Sequence, residues 1–134
     1  MSTEHDPYEA GLGFTVKPEK GDFIGREALL RRKAEGMRRK LGCLVLDDSN
    51  VTVIGSDPVY HDGEAVGYVT SVAYGYSVRK SIAYAWLPPE LVEFGTRLDI
   101  EYFEERQAAA VTEEPLFDPA MERMRDGVPL AKAT

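Results

Sequence analysis

From Arg39 onward, short and mostly apolar stretches are separated by clusters of turn residues, and this pattern is typical of β-strands. Turn residues bound each stretch, and His61-Asp62-Gly63 between two of them is a hairpin signal. The stretches are "KLGCLVL", "DPVYH", "EAVGYVTSVAYGYS", "KSIAYAWL" and "TRLDIEYFEERQAAAVTE", the last of which holds two strands hinged at Glu104-Glu105-Arg106. Five or six strands at this spacing predict an antiparallel sandwich or a closed barrel.

The residues near the amino terminus predict an additional extended segment. Leu12, Phe14 and Val16 alternate with glycine and threonine, which is the period of a strand. Glycine at alternate positions weakens a strand that stands alone, so it usually marks close approach by another backbone or by a ligand. Pro18 limits continuation of this strand.

One α-helix is predicted between this strand and the barrel strands. The stretch "GREALLRRKAE" contains strong helix formers, Asp22 is its candidate N-cap, and Gly36 supplies a natural stop. Ile24, Ala28 and Leu29 are predicted to share an apolar stripe on this helix.

The composition fits one domain with a hydrophobic core, since 43% of the 134 residues are hydrophobic. A net charge of −7 argues against a nucleic-acid-binding surface. The most basic stretch, Leu29–Lys40, is either a solvated helix face or a local patch for an anion or a partner.

The single cysteine, Cys43, lies between apolar neighbours and is predicted to be a small buried hydrophobic residue. It cannot form an internal disulfide, and it offers no metal cluster. The only histidines are His5 and His61, so no base is evident for a catalytic thiol. No leader and no apolar run long enough to span a bilayer is evident, which predicts a soluble cytoplasmic protein without membrane contact.

Two sequence blocks carry a family resemblance, "DFIGREAL" and "GYVTSVAYGYSVRKSIAYA". With the flanking segments they resemble the carboxy-terminal portion of the glycine-cleavage T-protein (aminomethyltransferase) family, which includes the folate-linked domains of dimethylglycine and sarcosine dehydrogenases. The similarity runs from about Pro7 to Asp118. It implies a mainly β fold, a six-stranded antiparallel Greek-key barrel preceded by an extended strand and one α-helix. The expected divisions are a strand-loop-helix linker over 1–36, the barrel over 37–118 and a tail over 119–134.

The resemblance also implies that this chain lacks the reacting group. In complete members a larger α+β portion precedes the barrel, and it carries the catalytic aspartate and the glutamate that holds the pterin of tetrahydrofolate. Nothing in this sequence matches those segments, so no catalytic residue is assigned. The chain is therefore expected to be a small subunit or an excised piece without activity alone, whose tetrahydrofolate is shared with a larger chain of the same family.

Three residues are expected near the cofactor on the basis of the resemblance. Lys20 is the cation nearest to the position where the family often has an arginine, just before the "DF" pair. Phe117 is the nearest match to an aromatic residue that faces the ligand after the last strand, and Tyr76 is a rim aromatic. The opposing interpretation makes Lys20 a solvent-facing loop charge and Phe117 and Tyr76 ordinary packing residues.

Two functions from different classes follow. The first is a barrel component of a tetrahydrofolate-dependent aminomethyl or methyl transfer or demethylation system, closing the folate cavity of a partner chain. The second is a noncatalytic interaction barrel without folate binding, because barrels of this kind also serve as docking surfaces. An unpaired strand at Leu12–Val16 would also allow a homo-oligomer through strand exchange.

Overall fold

The computed structural model describes residues 4–125, which form one closed antiparallel barrel of six strands. One principal helix precedes the barrel and a short one follows it. In chain order the elements are α1 (Arg26–Glu35), β1 (Lys40–Leu46), β2 (Pro58–His61), β3 (Glu64–Gly75), β4 (Lys80–Leu87), β5 (Arg97–Tyr102), β6 (Glu105–Thr112) and α2 (Glu122–Arg125). The mainly β prediction with one main helix is confirmed.

The strand order around the barrel is β1-β4-β3-β2-β5-β6. The strands β2, β3 and β4 follow one another through short connections, and β1 lies beside β4 rather than beside β2, which is a Greek-key arrangement. Pairing of β1 with β6, from Cys43↔Thr112 to Leu46↔Ala109, closes the barrel. Because of this closure, the paired positions of β1 and β6 present no free sheet edge with which another chain could pair.

The core consists mainly of side chains that alternate strand residues direct into the barrel, together with Val53 from the loop between β1 and β2. Leu44 and Leu46 from β1 meet Ala83, Ala85 and Leu87 from β4, and all five are buried. Other members of the core are Val53, Val59, Val69, Leu98, Ile100, Ala109 and Val111. Fully burying one leucine or isoleucine side chain contributes about 1.5–3 kcal/mol, so this set supplies the main stabilisation of the barrel.

The turn chemistry read from the sequence matches the structure at the first hairpin. Asp62 and Gly63 have φ angles of 51° and 86°, which is the left-handed conformation that a two-residue hairpin turn requires at both positions. The turn between β5 and β6 is built in the same way by Phe103 and Glu104, with φ angles of 49° and 64°. The predicted hinge at Glu104-Glu105-Arg106 is therefore present, but the turn begins one residue earlier, at Phe103.

The predicted extended strand at Leu12–Val16 is wrong. Residues Gly13–Thr15 form a 3₁₀ turn, in which the backbone NH of Thr15 donates to Leu12 O at 3.0 Å and that of Val16 to Gly13 O at 3.1 Å. The hydroxyl of Thr15 also donates to Leu12 O, at 2.7 Å. Local hydrogen bonds thus satisfy this backbone, and the closed barrel offers no free edge beside which a strand would lie. The structure accordingly gives no support to strand exchange through this segment.

The helix is present, but its predicted start and its apolar stripe are wrong. Gly25, with a φ of 91°, occupies the N-cap position in place of Asp22, whereas Gly36 ends the helix as predicted. Ile24 lies before the first helical residue and is fully exposed, and none of the residues of α1 is buried. Leu29 is half-buried beside residues of the preceding turns rather than against the barrel core.

Charged side chains, rather than an apolar face, hold α1 in place. The Arg32 guanidinium lies 3.1 Å from Asp6 Oδ2 and 3.8 Å from Glu9 Oε1. Glu9 is only 1% exposed, and its backbone carbonyl accepts a 2.8 Å hydrogen bond from the backbone NH of Leu41 in β1. Arg26 Nε donates to Pro18 O at 2.8 Å. A buried carboxylate needs such a partner, so the Arg32–Glu9 contact joins the helix to the barrel.

No helix within residues 4–125 has the length and apolar character needed to cross a membrane.

Replacement of Gly67 by alanine is expected to destabilise the barrel. A β-carbon at Gly67 would stand 2.0 Å from the backbone carbonyl oxygen of Trp86, which belongs to the neighbouring strand and cannot move away alone. We expect Gly67→Ala to lower the free energy of unfolding by about 3 kcal/mol or more, measured by urea denaturation.

Gly55→Ala is the matched control for this substitution. Its β-carbon would lie 3.3 Å from Thr70 O, in a loop that can adjust, and we expect a loss below about 1 kcal/mol. Equal effects of the two substitutions would contradict the close strand approach at Gly67.

Candidate functional site

A cavity of about 590 Å³ lies on the outer side of the barrel wall. Cys43 from β1 and Ile82 and Tyr84 from β4 line it, and these residues alternate with the core residues of the same strands. Successive strand side chains point to opposite faces, so the cavity and the core share one wall, and Val72 of β3 contributes to both. Its volume falls within the usual range for small-molecule sites, about 300–1,000 Å³.

A β-bulge shapes the β3 side of the cavity. The pairing of β3 with β4 shifts between Val69 and Ser71, so that Thr70 is the extra residue. The hydroxyl of Thr70 donates to Tyr84 O at 3.1 Å. Beyond the bulge, Ser71 lies opposite Tyr84, and small residues follow along this edge of the cavity. Bulges commonly redirect side chains beside functional sites.

Aromatic side chains form the rim of the cavity. Tyr76, in the turn after β3, is 85% exposed and meets Tyr74 edge to face, with ring centroids 5.1 Å apart. Phe117 is 40% exposed and comes from the segment after β6, together with Pro115 and Leu116. Large exposed aromatic rings around an apolar cavity favour contact with a planar ligand or a partner surface.

The position of Phe117 depends on the short helix that follows it. Asp118 accepts hydrogen bonds from the backbone NH groups of Glu122, at 2.9 Å, and Arg123, at 3.2 Å, and so caps α2. The Arg123 guanidinium lies 4.8 Å from the centroid of the Phe117 ring. The predicted helical turn around Met121–Met124 is confirmed as Glu122–Arg125, although Met124's side chain lies outside the described structure.

The polar groups in the floor of the cavity belong to one cluster. Tyr84 lies directly opposite Cys43 across the β1–β4 ladder. A hydrogen bond to Glu114, together with burial and the neighbouring thiol, raises the pKa of Tyr84 above the ordinary phenol range. Burial raises the pKa of Cys43, against the opposing effect of its hydrogen bond to Tyr84. Both groups therefore keep their protons at neutral pH.

This cluster is suited to binding rather than to proton transfer. A phenol and a thiol with raised pKa values are poor general bases near neutrality. Neither histidine lines the cavity: His5 stacks on Trp86 with ring centroids 4.2 Å apart, and His61 lies beside Asp62. Within residues 4–125, no group of three or more histidine, cysteine or acidic side chains is arranged to hold a metal ion.

The structure brings together two of the three predicted cofactor residues. Tyr76 and Phe117 line the large cavity, whereas Lys20 lines a separate cavity of about 210 Å³ with Phe23 and Leu29. The Lys20 ammonium lies 5.1 Å from the centroid of the Phe23 ring. Whether any of the three contacts a cofactor stays a prediction.

Sequence reasoning missed Tyr84 and Glu114 as members of the site. Burial of Cys43 was predicted correctly, and this thiol is 4% exposed. The contact between Cys43 and Tyr84 depends on the register of two strands that are separated by β2 and β3 in the chain. The alternation within each strand places both residues away from the core, but it gives no register.

The fold defines the chain as a closed Greek-key barrel domain with an aromatic-rimmed cavity on its outer wall. Residues 39–118 match the model of the glycine cleavage T-protein C-terminal barrel domain. The chain belongs to this family.

Three relatives illustrate the similarity. The chain is 38% identical over 128 residues to "Dimethylglycine dehydrogenase, mitochondrial" of Homo sapiens, and the aligned residues make up 93% of this chain and 15% of that protein. It is 41% identical over 118 residues to an "Aminomethyltransferase" of Symbiobacterium thermophilum, and the aligned residues make up 87% of this chain and 31% of the relative. The crystal structure of glycine cleavage system aminomethyltransferase T from Bartonella henselae has the same fold, with a TM-score of 0.77 at 24% identity over 84% of this chain.

The chain therefore spans only part of each relative, 15% of the human dehydrogenase, 31% of the Symbiobacterium protein and 32% of the Bartonella protein. The family assignment applies to the barrel that is present here.

The thiol of Cys43 is expected to react slowly in the native protein. Burial restricts access and raises its pKa, so little thiolate forms near neutral pH. We expect a disulfide reagent at pH 8 to label the native thiol about 100-fold more slowly than the urea-unfolded chain. The native rate should rise as the pH increases toward the raised pKa, because the thiolate is the reacting form.

Cys43→Ala serves as the blank in this measurement. Rapid stoichiometric labelling of the native protein near neutrality would contradict the buried, protonated state of the thiol.

Proposed function

We propose that this chain is the barrel component of a tetrahydrofolate-dependent aminomethyl or methyl transfer or demethylation system. In this proposal it closes the folate cavity of a larger partner chain of the same family. The observation that carries the proposal is the aromatic-rimmed apolar cavity on the outer wall of a barrel of this family. A site on the outer wall can be completed by a second polypeptide without disturbing the core.

The cavity fits the ring part of a folate in size and chemistry. Its lining is mainly apolar, and Tyr76 and Phe117 offer aromatic faces for stacking. Tyr84 offers one hydrogen-bonding group in the floor, which would fix the orientation of a ring. In this proposal Lys20, which lies outside the cavity, meets the anionic glutamate tail rather than the ring.

The residues of this chain would act by binding and by excluding water. Tetrahydrofolate held there would supply the acceptor for a one-carbon unit. Tyr84 keeps its proton, and the carboxylate of its cluster, that of Glu114, hydrogen-bonds to this phenol and does not itself line the large cavity. The reacting carboxylate would therefore lie on the larger chain, while the barrel closes the site against solvent.

The second candidate function is a noncatalytic interaction barrel that binds no folate. One observation favours it: the helix α1 buries none of its residues, and bulky side chains before it, such as Phe14 and Ile24, are exposed. Exposed apolar side chains of this size mark interaction surfaces more often than catalytic sites.

The cytoplasmic location also stays a prediction.

Co-purification distinguishes the two functions. We expect the tagged full chain, expressed in its own cells, to purify with a larger chain of the same family. The complex should bind tetrahydrofolate in isothermal titration calorimetry and catalyse one-carbon transfer, and the chain alone should show no transferase activity. Robust turnover by the purified chain alone would overturn the proposal, and a partner complex without folate binding would favour the scaffold function.

Phe117→Ala tests the cavity itself. Loss of the ring removes stacking and apolar contact, so we expect the Kd of the complex for tetrahydrofolate to rise about tenfold. Phe103→Ala is the matched control, because Phe103 is exposed in the β5–β6 turn and does not line the cavity. Equal Kd values for the Phe117 variant and the control would place the folate ring elsewhere.

A further inference from the structure

Positive charge is concentrated in one segment of an acidic chain. We call the segment Lys17–Lys40 the basic arm; it includes α1. It holds nine of the 16 lysine and arginine residues and four acidic residues, so its net charge is +5, whereas the whole chain carries −7. Such asymmetry creates a local positive potential on a molecule that otherwise repels acidic surfaces.

Part of this charge is used within the molecule. Arg32 pairs with Asp6, Glu9 and Glu35, and Arg26 donates to a backbone carbonyl. The Arg39 guanidinium lies 5.4 Å from the centroid of the Trp86 ring. The contacts of Arg32 with Asp6 and Glu9 and of Arg39 with Trp86 hold the basic arm against the rest of the molecule, whereas the Arg26–Pro18 and Arg32–Glu35 contacts lie within the arm.

Three other cations of the basic arm have no such role. Arg31, Lys33 and Arg38 are exposed, and within residues 4–125 none of them forms an ion pair. Their presence adds like-charge repulsion to a segment that the other arginines already make positive. Burial of core residues does not require them, since α1 has no buried residue.

Apolar side chains accompany these cations. Ile24 is fully exposed, Met37 is exposed just after α1, and Leu30 is exposed within the helix. A solvated helix face has no need of a fully exposed isoleucine at its start. Apolar anchors surrounded by charged residues are the composition of a protein interface, in which the anchors supply affinity and the charges supply the association rate.

We propose that the basic arm is the surface through which this chain docks onto an acidic, partly apolar surface of the larger partner chain. This inference rests on the proposed function, because the partner is the same larger chain. Ile24 would enter the partner surface as an anchor, and Arg31 and Arg38 would meet carboxylates. Nucleic acid is a weaker fit, because acidic residues Glu27 and Glu35 interrupt the arm and its apolar residues offer nothing to phosphates.

Binding kinetics with the purified larger chain test this inference. The full chain and its variants are measured on the immobilised larger chain, at low and at moderate ionic strength. We expect Arg31→Glu with Arg38→Glu to lower the association rate constant at least tenfold, and the wild-type rate constant to fall as salt is added. Ile24→Ser should chiefly raise the dissociation rate constant, about tenfold, because an apolar anchor is lost.

Arg79→Glu with Lys80→Glu is the matched control, since it changes the net charge equally at the β3–β4 turn, outside the basic arm. The salt series gives the part of the association rate constant that depends on net charge alone. We expect the association rate constant of this control variant to lie within twofold of the value predicted from that part.

If both double variants bind equally well, the inference is overturned while the proposed partner stands. If no larger chain binds even the wild-type chain at low salt, the proposed function fails and the inference fails with it. Nuclease-sensitive retention of RNA by the arm, without binding of the larger chain, would also overturn it.

Discussion

Closure of the barrel by the β1–β6 ladder is the constraint on which the other features depend. The pairing from Cys43↔Thr112 to Leu46↔Ala109 fixes which side chains of β1 point inward. Leu44 and Leu46 then join the core, and Cys43 is left on the outer wall opposite Tyr84. Because strand side chains alternate, one slip of register would exchange core and cavity. The same pairing that stabilises the fold therefore creates the wall of the candidate site.

Much of this fold could be predicted because the barrel strands obey local rules. Short apolar stretches and the hairpin signal at His61-Asp62-Gly63 each depend only on neighbouring residues. The predictions for the amino-terminal region were wrong where the structure depended on distant partners. Alternation at Leu12–Val16 gives way to local 3₁₀ hydrogen bonds, since the closed barrel has no edge to receive a strand. The helix is held by Arg32 and the buried Glu9, a contact between residues 23 positions apart that no helical period reveals.

The candidate site was predicted only in part, for the same reason. Phe117 and Tyr76 could be named because a family resemblance and exposed aromatic character pointed to them, and the structure places both on one cavity. Tyr84 and Glu114 could not, because their relation to Cys43 arises from strand register and from the path of the chain after β6. Lys20 was chosen as the cation nearest to a motif, but proximity in sequence did not bring it to the cavity.

The cavity and the basic arm are built from different kinds of structure. The cavity is mainly apolar, and barrel strands form its floor, while Tyr76 and Phe117 at its rim come from the turn after β3 and the segment after β6. The basic arm contributes nothing to the core and is held by ion pairs and hydrogen bonds, which salt and competing charges weaken. The fold thus presents an apolar cavity on its strands and a positively charged segment before them. Substitutions in α1 therefore leave the core untouched, whereas a change at Leu44 or Ile100 would disturb the strands that form the floor of the cavity.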